Sequence, residues 1–161
     1  MVHPNAETIQ RFYTDFQNRN ANGMVAAYHR DIHFSDEVFT NLRGPQAGAM
    51  WRMLCDRGAD LKIEFRDVEA DDRSGRAHWE AWYTFSSTGR KVHNVIDARF
   101  EFRNGKIVRH RDTFDFWHWS RQALGPVGML AGWTTFVKKR VRRDAAKSLE
   151  RFMRQSQALT R

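Results

Sequence analysis

Val92-His93-Asn94-Val95-Ile96-Asp97-Ala98-Arg99-Phe100-Glu101-Phe102-Arg103-Asn104-Gly105-Lys106-Ile107-Val108-Arg109-His110-Arg111-Asp112-Thr113-Phe114-Asp115-Phe116-Trp117-His118-Trp119 reads as two long strands joined at Asn104-Gly105. Ile96, Ala98, Phe100 and Phe102 alternate before the pair, and Val108, His110, Asp112 and Phe114 after it. An Asn-Gly pair between such runs is the strongest short-range signal for a β-hairpin. Two registers are open. A plain two-residue loop pairs Arg103 with Lys106 and sets Asp97 opposite Asp112, a carboxylate pair, but splits the two apolar sets between faces. A three-residue loop with a bulge at Gly105 gathers both sets, with Asn94, His110 and Asp112, on one side. The bulged register is preferred because it buries more apolar side chains, each worth about 1.5–3 kcal/mol. It leads a histidine and an acid into an otherwise apolar interior.

Upstream of the hairpin, Ile9, Phe12, Tyr13 and Phe16 recur at helical spacing after Asn5, an expected N-cap, and this helix should run to about Arg19. The turn Asn20-Ala21-Asn22-Gly23 leads to a short second helix through Met24, Val25, Ala27 and Tyr28. A strand over Ile32 to Phe39 carries Asp36-Glu37 at its bend, and Gly44-Pro45 opens a third helix that stops at Arg57-Gly58. Leu61, Ile63, Phe65 and Val68 mark another strand, and Ala77 to Ser86 alternates up to the turn Ser87-Thr88-Gly89. Downstream come a helical turn ending at Leu124, a segment punctuated by glycine and proline, and a helix from about Thr135 with Val137, Val141, Leu149 and Phe152 on one stripe. Helices first and meandering strands afterwards indicate α+β, a curved antiparallel sheet wrapped around a helix. Six tryptophans and twelve phenylalanines suit an apolar ligand pocket, or ordinary core packing with a dimer interface.

At 161 residues the length fits one core domain, taken as residues 1–125, with a basic helical extension over 126–161. A lone cysteine, Cys55, excludes an internal disulfide framework, and no Cys/His spacing resembles a zinc site, so neither metal nor cofactor is expected. No apolar stretch approaches the ~20 residues needed to span a bilayer, and the N-terminus lacks a secretory pattern. A cytoplasmic, soluble protein is expected. The formal charge is +8, and residues 134 to 161 hold nine Lys/Arg against Asp144 and Glu150, leaving +1 for the remainder. Such a tail admits nucleic-acid or anionic-surface binding, although a solvated helix face explains it without a partner.

The order of elements, the strand with Asp36, the helix opening at Gly44-Pro45 and the hairpin Arg103 to Asp112 resemble the SnoaL-like branch of the nuclear transport factor 2-like superfamily. The most specific piece is Gly105-Lys106-Ile107 followed by His110, Asp112 and Asp115. The resemblance covers roughly residues 5 to 120. It implies a cone-shaped α+β barrel with an apolar pocket, commonly a homodimer, in a group that includes polyketide cyclases, ketosteroid isomerases, epoxide hydrolases and non-enzymatic members. It also implies roles. Asp36, eight residues after Tyr28, falls where ketosteroid isomerases keep the proton-moving carboxylate. Their oxyanion tyrosine aligns with Phe12, which lacks a hydroxyl, and their oxyanion acid aligns with Asp97. Asp112 matches the acid of the SnoaL-like cyclases and the last acid of the epoxide hydrolase triad. The triad's arginine and first aspartate fall near Trp79 and Ala81, or near His78 and Glu80, and neither placement restores it.

The candidate catalytic residues are therefore Asp36, His110 and Asp112. Two-residue spacing aims His110 and Asp112 into one cavity, where burial would raise a carboxylate's pKa and an imidazolium would lower it. Their structural alternative is a buried Asp-His hydrogen bond that fixes the strand; that of Asp36 is a turn cap with Ser35 and Glu37. Trp51, Trp79, Tyr83, Asn94 and Phe114 are candidate pocket lining, with core packing as the equal alternative. His33, His78 and His93 are expected to face solvent, and Asp115, Trp117 and Trp119 to anchor the strand end. The expectation is cofactor-independent cyclase, isomerase or dehydratase chemistry on a small apolar carbonyl or polyketide-like compound. Its rival is a non-catalytic dimeric ligand-binding or interaction domain of the same fold.

Overall fold

A six-stranded sheet curls around the helix α1 (Pro4–Gln17). The computed structural model describes residues 1–160. His3, rather than Asn5, caps α1, its ring accepting from the Asn5 N–H, while Asn5 donates its own side-chain amide to the Asp71 carbonyl at 2.9 Å. Ile9, Phe12, Tyr13 and Phe16 turn inward and are all but inaccessible.

After α2 (Ala21–Ala26), β1 (Tyr28–Ser35) starts earlier than its alternation predicts. Tyr28 belongs to this strand and not to the helix before it, because Ile107 donates its N–H to the Ala27 carbonyl at 2.9 Å and pairs with Tyr28. A two-residue strand, β2 (Leu42–Arg43), pairs with β1 and precedes α3 (Pro45–Arg57). Then come β3 (Lys62–Ala70), β4 (Ser74–Phe85), β5 (Arg90–Arg103) and β6 (Lys106–Thr113). The order across the sheet is β2-β1-β6-β5-β4-β3. The sheet is mixed, since β1 runs parallel to β6, and it is curled without closing into a barrel.

The hairpin resolves into parts of both registers. Asn104 and Gly105 form the two-residue loop, both at positive φ (52° and 74°), the geometry that follows strand twist. Arg103 pairs with Lys106 and Phe102 with Ile107; the register then slips so that Glu101 faces Arg109. The bulge therefore sits beside Val108 inside the second strand and not at Gly105. Beyond it Phe100 pairs with His110 and Ala98 with Asp112, on one inward face with Ile96 and Asn94, and Asp97 pairs with Thr113 on the outer face. Burial of both apolar sets was the deciding force, and one extra residue satisfied it without disturbing the turn.

The second strand ends at Thr113 and does not reach Trp119. Asp115 caps α4 (Phe116–Leu124) by accepting from the His118 N–H at 3.0 Å. The segment beyond forms α5 (Pro126–Ala131) and α6 (Thr135–Leu159). The long helix folds back on the domain. Val137 and Val141 join a second apolar cluster with Val92, Phe116, Trp119 and Tyr83 at the open end of the curl, and Leu149, Phe152 and Met153 pack on the main core. Arg57 on α3 donates to the Ser148 hydroxyl at 2.8 Å. Among the described residues no helix is long and apolar enough to cross a membrane.

Candidate functional site

The inward face of β6 carries the two expected polar residues, and the interior holds them in a hydrogen-bonded chain. Trp51 of α3 donates its indole N–H to the Tyr28 hydroxyl at 2.8 Å; Tyr28 lies 2.7 Å from His110 Nδ1; His110 Nε2 lies 2.9 Å from Asp112 Oδ1; Trp79 of β4 donates to the same oxygen at 3.3 Å. Donor counting assigns the proton positions. The Tyr28 oxygen accepts from Trp51, so its own O–H is free to donate to Nδ1, and the neutral imidazole then donates from Nε2 to Asp112. An imidazolium would place two donors on the Tyr28 oxygen and leave its O–H with no acceptor in the chain.

Aromatic rings seal this chain. The His110 ring lies 4.4 Å from Phe100 and 5.9 Å from Trp51, nearly parallel to the indole, and Phe34 and Phe12 meet it edge-on. His110 is wholly inaccessible and Asp112 is 2% exposed. Trp51 and Trp79 are core residues that also satisfy polar atoms. Burial and the Asp112 charge hold the Tyr28 hydroxyl well above the ordinary tyrosine pKa, so it stays protonated as the donor this network needs.

Asp36 stands where β1 ends, and both readings of it find support in the geometry. Its Oδ1 accepts from the backbone N–H of Val38 at 2.7 Å and of Phe39 at 2.6 Å, a turn cap. Its other oxygen has no hydrogen-bond partner among the described residues. Burial pushes its pKa up to about 7; the charges of Asp112 and Glu37 add to the rise, and the Phe39 and Val38 N–H groups oppose it. The buried Asp112 charge is thus one of the causes that hold the Asp36 pKa high. Tyr83, whose oxygen accepts from the Trp119 indole at 2.8 Å, is pushed up to about 12 by burial, with the Asp36 charge contributing. Asn94 points inward from β5 at 8% exposure, and among the described residues its amide has no partner. Phe114 packs against both apolar clusters.

Two groups escaped the sequence reading. Tyr13 follows Phe12, the position without a hydroxyl, and its buried O–H has no partner among the described residues; burial and the Asp112 charge raise its pKa well above the ordinary value. Trp119 is the second. It is not a strand anchor but the donor that orients Tyr83. A helical count from Phe116 would have put Trp119 on the buried side of α4. Asp97 lies outside, bonded to His78 Nδ1 at 2.9 Å, while His93 Nε2 meets Glu80 at 2.8 Å, so these two histidines lie on the outer face as expected but are paired with acids; His33 differs, its Nε2 being buried with no hydrogen-bond partner among the described residues.

Among the surface depressions of the described residues, two are open and lined by arginines. One of about 720 Å³ lies on the outer sheet face between Arg76, Arg99, Arg109 and Arg111, and one of about 330 Å³ lies between Arg19, Arg52 and Phe152. Neither is lined by Asp36, His110 or Asp112. The mouth above Asp36 is covered by α6, where Arg142 donates to the Glu37 carbonyl at 2.9 Å beside the Asp36 turn.

A mixed sheet curled about an N-terminal helix, with inward acids near its mouth, defines the nuclear transport factor 2-like class of α+β domains. Residues 9–110 match the SnoaL-like domain family, and the chain belongs to it. Solved structures agree in fold. An LEH-like epoxide hydrolase from M. tuberculosis is 19% identical with a TM-score of 0.60, over 79% of this chain and 95% of that one. A Jannaschia protein assigned as a SnoaL-like polyketide cyclase is 13% identical with a TM-score of 0.66, over 76% and 93%. A nuclear transport factor 2-like protein of unknown function from Burkholderia pseudomallei is 17% identical with a TM-score of 0.60, over 71% and 92%. No curated protein sequence matches the chain.

Proposed function

We propose that this SnoaL-like domain is a cofactor-independent acid/base enzyme acting on a small apolar carbonyl or polyketide-like compound, with Asp36 as the group that exchanges the proton. The observation that carries the reading is the state of Asp36. One oxygen is fixed by two backbone N–H groups, the other is free, and its proton affinity lies near neutrality, where a general base combines availability with driving force. Asp112 supplies negative charge behind it and is not itself reachable in the closed structure; the Tyr28 and His110 chain orients that charge. Asn94 and Tyr13, both inward and without a hydrogen-bond partner among the described residues, are the candidate contacts for a substrate oxygen, and Tyr83 and Phe114 the apolar wall.

Substrate reaches Asp36 only if the start of α6 moves, since Val137, Val141 and Arg142 cover that end of the curl. Residues 126–161 are accordingly treated as a strap on a domain ending near residue 125. A homodimer through the outer sheet face, where Trp82 and His93 stack at 4.4 Å beside exposed Val95, and a cytoplasmic setting for the free, buried Cys55 complete the proposal.

The test is proton exchange. Incubated in D₂O with a panel of apolar ketones, the protein should accelerate deuterium entry next to the carbonyl, with the rate rising through about pH 7 as Asp36 ionises, and Asp36→Asn should abolish it. A second reading, a non-catalytic ligand-binding or interaction domain, is favoured by the sealing of His110 and Asp112 among aromatic rings. Saturable binding of those ketones without exchange at any pH would select it.

A further inference from the structure

We infer that the α5–α6 corner docks on the surface of an anionic lipid bilayer. Leu130, Trp133 and Phe136 are 70% exposed or more, and Val127 and Met129 are 60% exposed. These five large apolar side chains lie within ten consecutive residues, 127–136. Their exposure is built in. Gly128 and Gly132 bring α5 against Ser120 of α4 so closely that a Cβ at either would collide with it, which fixes which side of α5 faces out. The Trp133 indole N–H is satisfied by the Leu130 carbonyl, so the ring presents an apolar body to its surroundings.

The apolar cluster leads directly into a cationic stripe. Along α6, Phe136, Arg140, Arg143, Lys147, Arg151 and Arg154 follow helical spacing on the exposed side, opposite the stripe of Val137, Val141, Leu149 and Phe152 that packs on the domain. With Lys139 alongside, the stripe extends roughly 27 Å at 1.5 Å per residue. None of these cations forms an ion pair among the described residues, and Asp144 and Glu150 are the only acids on the helix. A helix lying flat, with aromatic and aliphatic side chains at one end sunk into the headgroup region and cations along its length over anionic headgroups, satisfies both halves of this surface at once. A nucleic acid would satisfy the cations and leave Leu130, Trp133 and Phe136 exposed. The inference does not depend on whether Asp36 is catalytic.

Vesicle co-sedimentation of the full chain tests it. Vesicles of phosphatidylcholine with one third phosphatidylglycerol should bind at least about tenfold more tightly than pure phosphatidylcholine, and less tightly as salt rises. The triple variant Leu130→Ser/Trp133→Ser/Phe136→Ser and the triple variant Lys139→Glu/Arg140→Glu/Arg143→Glu should each lose about tenfold or more while keeping the wild-type circular dichroism and melting temperature. Trp133→Phe should remove the vesicle-induced blue shift in fluorescence. Equal binding to neutral and anionic vesicles, or no binding, would overturn the inference. So would duplex DNA binding that the apolar triple variant retains, or a wild-type dimer that this variant converts to monomer without any affinity for vesicles.

Discussion

Replacing Asp36 by asparagine should make the protein more stable at alkaline pH while abolishing proton exchange. Asparagine keeps the side-chain oxygen that accepts from Val38 and Phe39, so the turn survives, but it carries no charge. The pKa of Asp36 rises from the ordinary 3.8 to about 7 in the fold. A folded value above the unfolded one gives a contribution fully present below about pH 4 and lost as pH rises through about 7. At 1.36 kcal/mol for each factor of ten, wild type carries a penalty of about 4 kcal/mol at pH 8, reduced to about 2–4 kcal/mol because the carboxyl is partly solvated. Urea unfolding of both proteins at pH 4, 6 and 8 should therefore give curves that nearly coincide at pH 4 and separate progressively above it, with the variant ahead. Asp36→Ala, which loses the turn cap as well, should fall short of the variant by about 1 kcal/mol at every pH. A difference that does not change with pH, or a variant less stable than wild type at pH 8, would refute the assignment of Asp36 as a strained acid. The exchange assay would then lose its rationale.

Other substitutions probe the network and the strap. Asp112→Asn removes the charge behind Asp36, so the rising limb of the pH–rate profile should move to lower pH with the fold retained; an unmoved profile would disconnect the two acids. Tyr28→Phe leaves both the Trp51 indole and His110 Nδ1 without a partner and should cost about 2–4 kcal/mol in urea melts. Trp51→Phe orphans no donor and should cost about 1–2 kcal/mol by the same measurement. Arg142→Ala removes the contact to the Glu37 carbonyl and should speed ketone association in stopped flow with less than about 1 kcal/mol of stability lost; unchanged association would mean that α6 does not gate the mouth.

Long elements with strong periodicity were legible because local signals and burial agreed. The Asn104-Gly105 turn, the apolar face of α1 and the start of α3 at Pro45 all follow from residues close in sequence. Pairings between distant segments were not legible. The parallel contact of β1 with β6 depends on a long crossover, and it is this contact that draws Tyr28 out of a helical pattern and into a strand. The hairpin bulge illustrates the same division. Its existence followed from the need to bury Ile96, Ala98 and Phe100 with His110 and Asp112, but turn chemistry held the loop at two residues, and the slip moved to the strand interior.

The site divides along a similar line. That His110 and Asp112 face inward could be read from alternation; that Trp51, Tyr28 and Trp79 complete their hydrogen bonds could not, because those residues sit on three other elements. Completion changes the chemistry available to the pair. An Asp-His unit joined through Asp112 Oδ1 to both His110 and Trp79 and packed among aromatic rings is held in place, since a proton leaving the Tyr28-His110-Asp112 bonds would strand a buried donor or acceptor at about 1–3 kcal/mol. In the proposed mechanism the mobile proton sits instead on Asp36, which is half-buried where Asp112 is 2% exposed. Its raised pKa draws on the same burial that seals Asp112, and α6 contributes to that burial by lying over the mouth. A strap displaced from the mouth should therefore hydrate Asp36 and lower its pKa in the same movement that admits a ligand. Asp36 titrated by carbon NMR in a chain shortened at Gly132 should show this as a fall toward the ordinary aspartate value, and a value still near neutrality would separate the acid from the strap.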